Sequence, residues 1–135
     1  MKNIDYALIT VVAWGLWAFL PKIATRYISP SSALIYEIVA GIAMGIVLLR
    51  TLKTRLPIKE RGSIYAFVNG IVAYIGVLLY LLAISRQDAI IVAPLSATYP
   101  ITTLILGSVL LREKYRKLNY VGIFLALFAI YLILT

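Results

Sequence analysis

The stretch "SSALIYEIVAGIAMGIVLL", from Ser31 to Leu49, decides the fold because it is almost wholly apolar and carries a single charged residue, Glu37. Its length is close to the roughly 20 residues that a helix needs to cross the hydrocarbon core of a bilayer. The chain of 135 residues is 63% hydrophobic, whereas a soluble domain contains roughly 45–50% apolar residues. A single small core cannot bury that excess, since a domain of this size still exposes much of its surface. We therefore expect lipid to surround the protein.

Four more apolar runs follow the same pattern, because residues 6–21, 62–85, 89–111 and 118–135 contain no charged side chain. Strands are not expected, since alternation is absent and open sheet edges are not tolerated in a bilayer. The sequence predicts an all-α integral membrane protein with one domain over residues 1–135. Its five transmembrane helices are predicted at about 4–26, 32–51, 63–84, 89–111 and 118–134.

The composition excludes several kinds of chemistry. The chain contains no Cys and no His, which rules out disulfides, thiol nucleophiles and acid–base catalysis by imidazole. With no close pair of acids either, little remains from which to build a catalytic site. We expect no enzymatic activity, no bound metal and no cofactor.

The formal net charge of +8 is interpreted as a topology signal, because no soluble basic face exists to bind nucleic acid. Ten Lys and Arg residues fall on one side of the predicted helices and three on the other, and ten plus three accounts for all thirteen. The richer side should be cytoplasmic by the positive-inside rule. We expect an N-terminus inside, a C-terminus outside and a location in the plasma membrane of a prokaryote. The cytoplasmic set is Lys2, Arg50, Lys53, Arg55, Lys59, Arg61, Arg112, Lys114, Arg116 and Lys117, and the outer set is Lys22, Arg26 and Arg86.

Glu37 lies about 8 Å inside its predicted helix, at a rise of about 1.5 Å per residue. Ionisable residues in membrane helices are costly and normally face the bundle interior or a wet cavity. Gly41 and Gly45 follow at helical spacing, so that a small-residue face continues from the carboxylate and would allow a close approach of another helix. One interpretation is a proton- or cation-linked site. The other is a structural ion pair with Lys22 or Arg26 at the same membrane face.

The first predicted helix offers aromatic residues at membrane depth. Trp14, Ala18 and Pro21 share one helical face, which could form a wall of a cavity, although the tryptophans suit lipid contact or packing equally well. Pro21 cannot donate to the carbonyl of Trp17, so a kink or local unwinding is expected near it.

The third and fourth predicted helices each carry a polar and small face. Asn69, Gly76 and Tyr80 lie at helical spacing in the third helix, where the polar groups would line a path or bridge helices. In the fourth helix, Pro100 cannot satisfy the carbonyl of Ser96, which leaves either a ligand contact or a kink for close packing. The candidates for solute or coupling contacts are Glu37, Trp14, Trp17, Lys22, Tyr36, Asn69, Tyr74, Ser96, Tyr99 and Pro100. The candidates for helix packing are Gly41, Gly45, Gly76, Gly107 and Gly122.

Several short motifs in order resemble the EamA domain of the drug/metabolite transporter superfamily. They are Trp14-Gly15, Pro21-Lys22, "APLSATYP" at 93–100, "LLREK" at 110–114 and "LNYVGIFLALFAIYLI" at 118–133. The most specific elements are Ala93-Pro94, Pro100, Glu113 and Gly122. The resemblance covers essentially the whole chain.

The resemblance implies a secondary transporter, expected to export a small organic metabolite or cation by alternating access. The expectation of proton coupling comes from the intramembrane acid Glu37 itself. A non-transporting membrane scaffold or subunit, with Glu37 in a structural ion pair, is the alternative. Most family members carry two such domains, so that this single half is expected to dimerise into a ten-helix bundle. The partner is either a second copy or an oppositely oriented paralogue, and the other expected partners are membrane lipid and a small-molecule substrate. Many EamA domains carry a basic residue near the position of Glu37, and an acid there suits a cation or a proton better than an anion.

Overall fold

The computed structural model describes residues 4–53, 56, 58–113 and 117–134, and all regular structure in these ranges is helical. The six helices are α1 (Ile4–Ala24), α2 (Pro30–Leu52), α3 (Arg61–Arg86), α4 (Ala89–Ser96), α5 (Tyr99–Leu110) and α6 (Lys117–Leu134). Four of the ten Lys and Arg residues assigned to the cytoplasmic side lie outside the described residues, namely Lys2, Arg55, Lys114 and Arg116.

Four segments are long and apolar enough to cross a membrane: Ile4–Ala24, Pro30–Leu52, Arg61–Arg86 and Ala89–Leu110. The last predicted span corresponds to a shorter apolar helix, Leu118–Ile133. The predicted helix boundaries agree with the observed ones to within about two residues for four of the five spans, which is the usual uncertainty of a helix end.

The fourth span differs from the prediction of one continuous helix over 89–111. It consists of α4 and α5, separated by a turn at Ala97 and Thr98. Pro100 lies in the first turn of α5, where the missing N–H is tolerated because the first amides of a helix have no intrahelical acceptor. The proline therefore starts a new helix instead of bending an existing one.

The expected unwinding at Pro21 is not observed. α1 remains helical through Pro21 and ends at Ala24. The Pro21 carbonyl accepts the backbone N–H of Thr25 at 2.9 Å and its hydroxyl at 2.8 Å. These two bonds continue the helical pattern beyond the proline.

The chain divides into two compact units, and the first contains residues 1–86. In this unit α3 packs against both α1 and α2. Leu81 and Ile84 of α3 are fully buried, and Tyr80 and Ala33 are nearly so. All three α3 residues lie near the C-terminal end of that helix, so the best-packed part of the unit is the end at which α1 finishes and α2 begins.

The second unit contains residues 87–135, and in it α4 packs against α6. Gly107 is buried in α5, and its carbonyl accepts the backbone N–H groups of Leu111 at 3.1 Å and Glu113 at 3.2 Å. Arg112 adopts a left-handed φ of 54° between these two donors. This reversal ends α5 and satisfies one of its terminal carbonyls.

Most large apolar side chains along all six helices point outward, including Val11 at 70% exposure, Phe67 at 71% and Val109 at 68%. A water-soluble protein rarely shows extended apolar surface of this kind. The exposed faces fit a lipid environment, in which apolar side chains belong on the outside.

Candidate functional site

A tight connection between α1 and α2 brings Trp17 and Glu37 together. α2 begins after Ser29, whose side chain accepts the backbone N–H of Ser32 at 3.2 Å. Pro30 follows in the first turn, where its fixed φ suits a helix start. The Ala24 carbonyl accepts the amides of both Tyr27 and Ile28 at 3.0 Å. Only five residues separate the two helices, since α1 ends at 24 and α2 begins at 30, so α2 folds back beside the last turns of α1.

Glu37 is half-buried, and the Trp17 side chain lies close enough to act as a hydrogen-bond donor to its carboxylate. The indole N–H is the only donor that a tryptophan side chain has. A hydrogen bond to an ionised acceptor is roughly twice as strong as a neutral one. Trp17 therefore stabilises the carboxylate at a depth where lipid offers no hydrogen bonds.

Tyr80, on α3, contacts Trp17 with its ring. The two rings are stacked, with centroids 5.3 Å apart and an interplanar angle of 24°. The Tyr80 hydroxyl donates to the carbonyl of Ala18 at 2.6 Å. The same residue thus contacts the neighbour of Trp17 through its hydroxyl and Trp17 itself through its ring.

A second polar contact crosses between α1 and α3 nearby. The ammonium group of Lys22 donates to the carbonyl of Ile84 at 3.0 Å. Ile84 lies one helical turn beyond Tyr80, just as Lys22 lies one turn beyond Ala18. The two contacts form a clasp between the helices, which we define as the Ala18–Tyr80 and Lys22–Ile84 bonds.

An open groove of about 290 Å³ lies between α1 and α2 beside Glu37. The volume is near the lower limit of the roughly 300–1,000 Å³ that is usual for small-molecule sites. The lining residues are Trp17, Leu20, Pro21, Ala24, Ile28, Ala33, Tyr36 and Glu37. The lining of the groove is almost wholly apolar, and Glu37 is the acidic residue that borders it beside Trp17 and Tyr36.

This combination suits an organic cation. A carboxylate supplies the opposite charge, and the faces of Trp and Tyr attract cations through their ring quadrupoles. The small groove and its apolar lining favour a compact ion with hydrocarbon groups over a strongly hydrated inorganic ion. No cluster of three or more metal-ligating side chains occurs among the residues that the structure describes.

The structure brings together several of the residues that the sequence named as candidates. Trp17, Tyr36 and Glu37 line the groove, and Lys22 belongs to the clasp beside it. Trp14 is exposed, with its ring 6.4 Å from that of Trp17 and tilted by 56°. Of the predicted wall of Trp14, Ala18 and Pro21, Pro21 lines the groove and the Ala18 carbonyl accepts the Tyr80 hydroxyl.

The two residues of the predicted ion pair, Glu37 and Lys22, each have another contact in the structure. The carboxylate of Glu37 lies within reach of the Trp17 donor, and the ammonium of Lys22 bonds to the Ile84 carbonyl. Arg26 is exposed in the turn after α1.

Two candidates on α3 lie farther from the groove. Tyr74 places its hydroxyl over Gly41, where an added Cβ would lie 2.6 Å from the oxygen. This close approach occurs one turn from Glu37, on the same face of α2. Asn69 is exposed and precedes Tyr80 by 11 residues, which is about 16 Å along a helix.

Ser96, Tyr99 and Pro100 surround the break between α4 and α5 in the second unit, and all three are exposed. The hydroxyl of Ser96 donates to the carbonyl of Ala93 at 2.8 Å. The Ser96 side chain therefore bonds within α4 at the break.

The glycine candidates differ in their surroundings. A Cβ added at Gly45, Gly76 or Gly122 would meet no described atom within 4 Å, apart from the chain neighbours and the helix backbone around it. Gly45 instead lines an apolar groove of about 380 Å³ with Leu48, Leu49, Leu52 and Leu56. Gly107 is buried, and Gly41 faces Tyr74.

The sequence analysis did not predict the contacts of Tyr80, nor the Ala18 and Ile84 carbonyls as the acceptors of the two clasp bonds. Tyr80 was recognised only as part of a polar face on α3. The available signal was Pro21, which deprives the Trp17 carbonyl of its helical donor and so marks the turn of α1 in which Ala18 lies. A tyrosine on a neighbouring helix is a suitable donor, since a buried hydroxyl needs a partner.

Comparison with known proteins gives three findings. A model of the EamA-like transporter family matches residues 1–135, which confirms the resemblance drawn from the sequence. An uncharacterised protein of Methanocaldococcus jannaschii is 28% identical over 126 residues, which cover 93% of this chain and 91% of the relative. No solved structure matches the chain.

Proposed function

Because the chain belongs to the EamA-like transporter family, we propose that it is a secondary transporter of a small organic cation, with Glu37 as the group that binds the solute. Family members are transporters, and the apolar helices make this chain a multi-pass membrane protein. The observation that carries the proposal is the groove between α1 and α2, which Glu37 lines together with the aromatic residues Trp17 and Tyr36.

Charge balance supplies the mechanism. A single carboxylate neutralises one positive charge, so Glu37 holds either a proton or a cationic solute. If the groove opens alternately to the two sides of the membrane, exchange of one for the other couples the two fluxes. A proton that enters the cell then drives the export of a cation, and the bound Trp17 N–H stabilises the carboxylate between the two occupants.

The proposed assembly is a dimer. Five spans make one half of the ten-helix arrangement that two EamA domains form, and transporter sites commonly lie between two repeats. We propose a prokaryotic plasma membrane location with the N-terminus in the cytoplasm, supported by the ten-to-three division of Lys and Arg. The same division favours a parallel pair or an oppositely biased partner chain over a homodimer that inserts in both orientations.

Proton flux in reconstituted liposomes tests this function. The protein is placed in vesicles with an internal pH dye, and phenyltrimethylammonium or benzylamine is added as the probe cation. Wild-type protein should move protons in response to the cation. Glu37→Gln should abolish that response and remain folded, whereas Glu60→Gln, which changes an exposed acid outside the helices, should keep it.

Two results would decide against the proposal. Cation-driven proton flux that persists in Glu37→Gln would place the coupling group elsewhere. Wild-type vesicles that neither bind nor move any cation of a broad amine panel would favour the alternative of a non-transporting membrane subunit.

A further inference from the structure

We propose that Tyr80 is a positioning residue for Glu37, acting through Trp17, so that α3 sets the state of a site built from α1 and α2. The significance of this role rests on the proposed function, in which Glu37 binds the solute. Tyr80 is not among the lining side chains of the groove. Any effect of Tyr80 on the Glu37 carboxylate must therefore pass through Trp17, which contacts both residues.

The first link is the anchor of Tyr80. Its hydroxyl donates to the Ala18 carbonyl at 2.6 Å, and its side chain is only 7% exposed. Burial removes competing hydrogen-bond partners, so the phenol ring has little freedom to change rotamer. The ring is thus fixed relative to the backbone of α1.

The second link is the stack. Trp17 is 39% exposed, so it is far less confined by packing than Tyr80. Its stable contact is the Tyr80 ring, at 5.3 Å and 24°, and offset stacking of this kind is an attractive geometry for aromatic pairs. Tyr80 therefore limits the directions in which the indole N–H can point.

The third link is the contact between Trp17 and Glu37, which line the same groove, with the Trp17 side chain placed as a hydrogen-bond donor to the carboxylate. An indole has one N–H, so a small rotation of the ring breaks the bond to the carboxylate. The sequence of contacts runs from α3 through α1 to α2, and a shift of α3 relative to α1 would change the donor available to Glu37. This provides a physical route by which helix movement alters the site.

Resonance Raman spectroscopy of the Trp17 indole tests this chain of contacts. The protein has two tryptophans, so Trp14→Phe leaves Trp17 as the sole indole, and its N–H hydrogen bonding is read directly from the spectrum. In this background, Glu37→Gln should shift the indole band toward that of a weaker hydrogen bond. Tyr80→Leu should produce a comparable shift with Glu37 unchanged. Tyr74→Phe is the matched control, since Tyr74 lies on the same helix over Gly41, and it should leave the band unchanged.

The double variant distinguishes positioning from general loosening. Since both changes act on one hydrogen bond, Glu37→Gln with Tyr80→Leu should shift the band no farther than Glu37→Gln alone. Tyr80→Phe keeps the ring and removes only the anchor, so it should give a smaller shift, and it preserves the test should Tyr80→Leu fail to fold. A band that stays at the wild-type position in both Tyr80 variants, or additive shifts in the double variant, would overturn the proposal.

The measurement uses no solute. If the Tyr80 variants leave the indole band unchanged, Tyr80 does not position Trp17, and the proposed coupling through Glu37 is unaffected. Success in a protein that moves no cation would establish the positioning contact while contradicting the transport function.

Discussion

Pro21 and Pro100 lie in two membrane spans, and the chain accommodates them in different ways. α1 continues through Pro21, and the neighbouring Ala18 carbonyl receives a hydroxyl from α3. At Pro100 the helix stops and α5 begins, while the side chains at the break bond to their own segment, as in the 2.7 Å bond from Thr98 to the Leu95 carbonyl. A donor on another helix thus ties α1 to α3 beside Pro21, whereas the donors at the break near Pro100 are local.

The consequence for function follows from this difference. The α1 backbone near Pro21 is bonded to α3 and lies next to Glu37 and the aromatic rings. A movement of α3 would therefore change the surroundings of the proposed binding group. The break at Pro100 has exposed polar side chains and no acid among them. The two regions therefore offer different tests of how each proline is accommodated.

The largest effect on stability is expected when the clasp loses its charged donor. Lys22→Met removes the ammonium that bonds to the Ile84 carbonyl at 3.0 Å and should lower the free energy of unfolding by about 2 kcal/mol, because hydrogen bonds to charged groups are the stronger class. Chemical denaturation in detergent measures the difference. Arg26→Met, an exposed cation in the turn after α1, is the control and should change stability little; equal losses in both variants would remove the clasp from the account.

The two prolines can be compared directly by amide hydrogen exchange. Pro100→Ala restores an N–H that can reach the Ser96 carbonyl, so α4 and α5 should join and exchange at 97–101 should slow about tenfold, which corresponds to about 1.4 kcal/mol. Pro21→Ala should leave exchange in the last turn of α1 within about threefold of wild type, because that turn is already helical. The opposite order of effects would contradict the comparison.

A smaller difference should separate two glycines on one face of α2. A Cβ at Gly41 would lie 2.6 Å from the Tyr74 hydroxyl, whereas one at Gly45 meets no described atom within 4 Å beyond its own helix and chain neighbours. Alanine improves helix propensity at both sites by about 0.5–1 kcal/mol, but Gly41→Ala must also displace Tyr74. It should therefore be about 1 kcal/mol less stable than Gly45→Ala in thermal or chemical unfolding, and a Gly41→Ala variant as stable as its partner would show that Tyr74 moves away freely.

The smallest effect is expected at the helix break. Thr98→Val removes the hydroxyl from the Leu95 carbonyl, which keeps the Thr98 backbone N–H as a donor at 3.3 Å. Unfolding should change by at most about 0.5 kcal/mol, since the carbonyl is not orphaned. A loss larger than that of Lys22→Met would mean that local bonds at the break matter more than the cross-helix bonds.

Hydropathy was sufficient to predict where the helices lie, because the length of an apolar run and its charged ends determine a span. The sequence also named Glu37 and Trp17 as candidates for a site, and both line the groove between α1 and α2. The Tyr80 contacts were not predictable, because Tyr80 and Ala18 are 62 residues apart and their pairing depends on the register between α1 and α3. Periodicity within one helix contains no information on that register. The break at 97–98 was missed for a related reason, since Pro100 could either bend a helix or begin one, and the local hydroxyl bonds decide between the two.

The role of Glu37 as the group that binds either a proton or the cation can be tested by infrared titration of lipid-reconstituted protein, with and without phenyltrimethylammonium. We expect one carboxyl band that depends on pH and is missing in Glu37→Gln. This band should change when the cation is added, because the proton and the cation compete for the same carboxyl group. A Glu37 band that is identical with and without every amine tested would contradict it, and Glu37 would then be a fixed partner of Trp17 in a structural role.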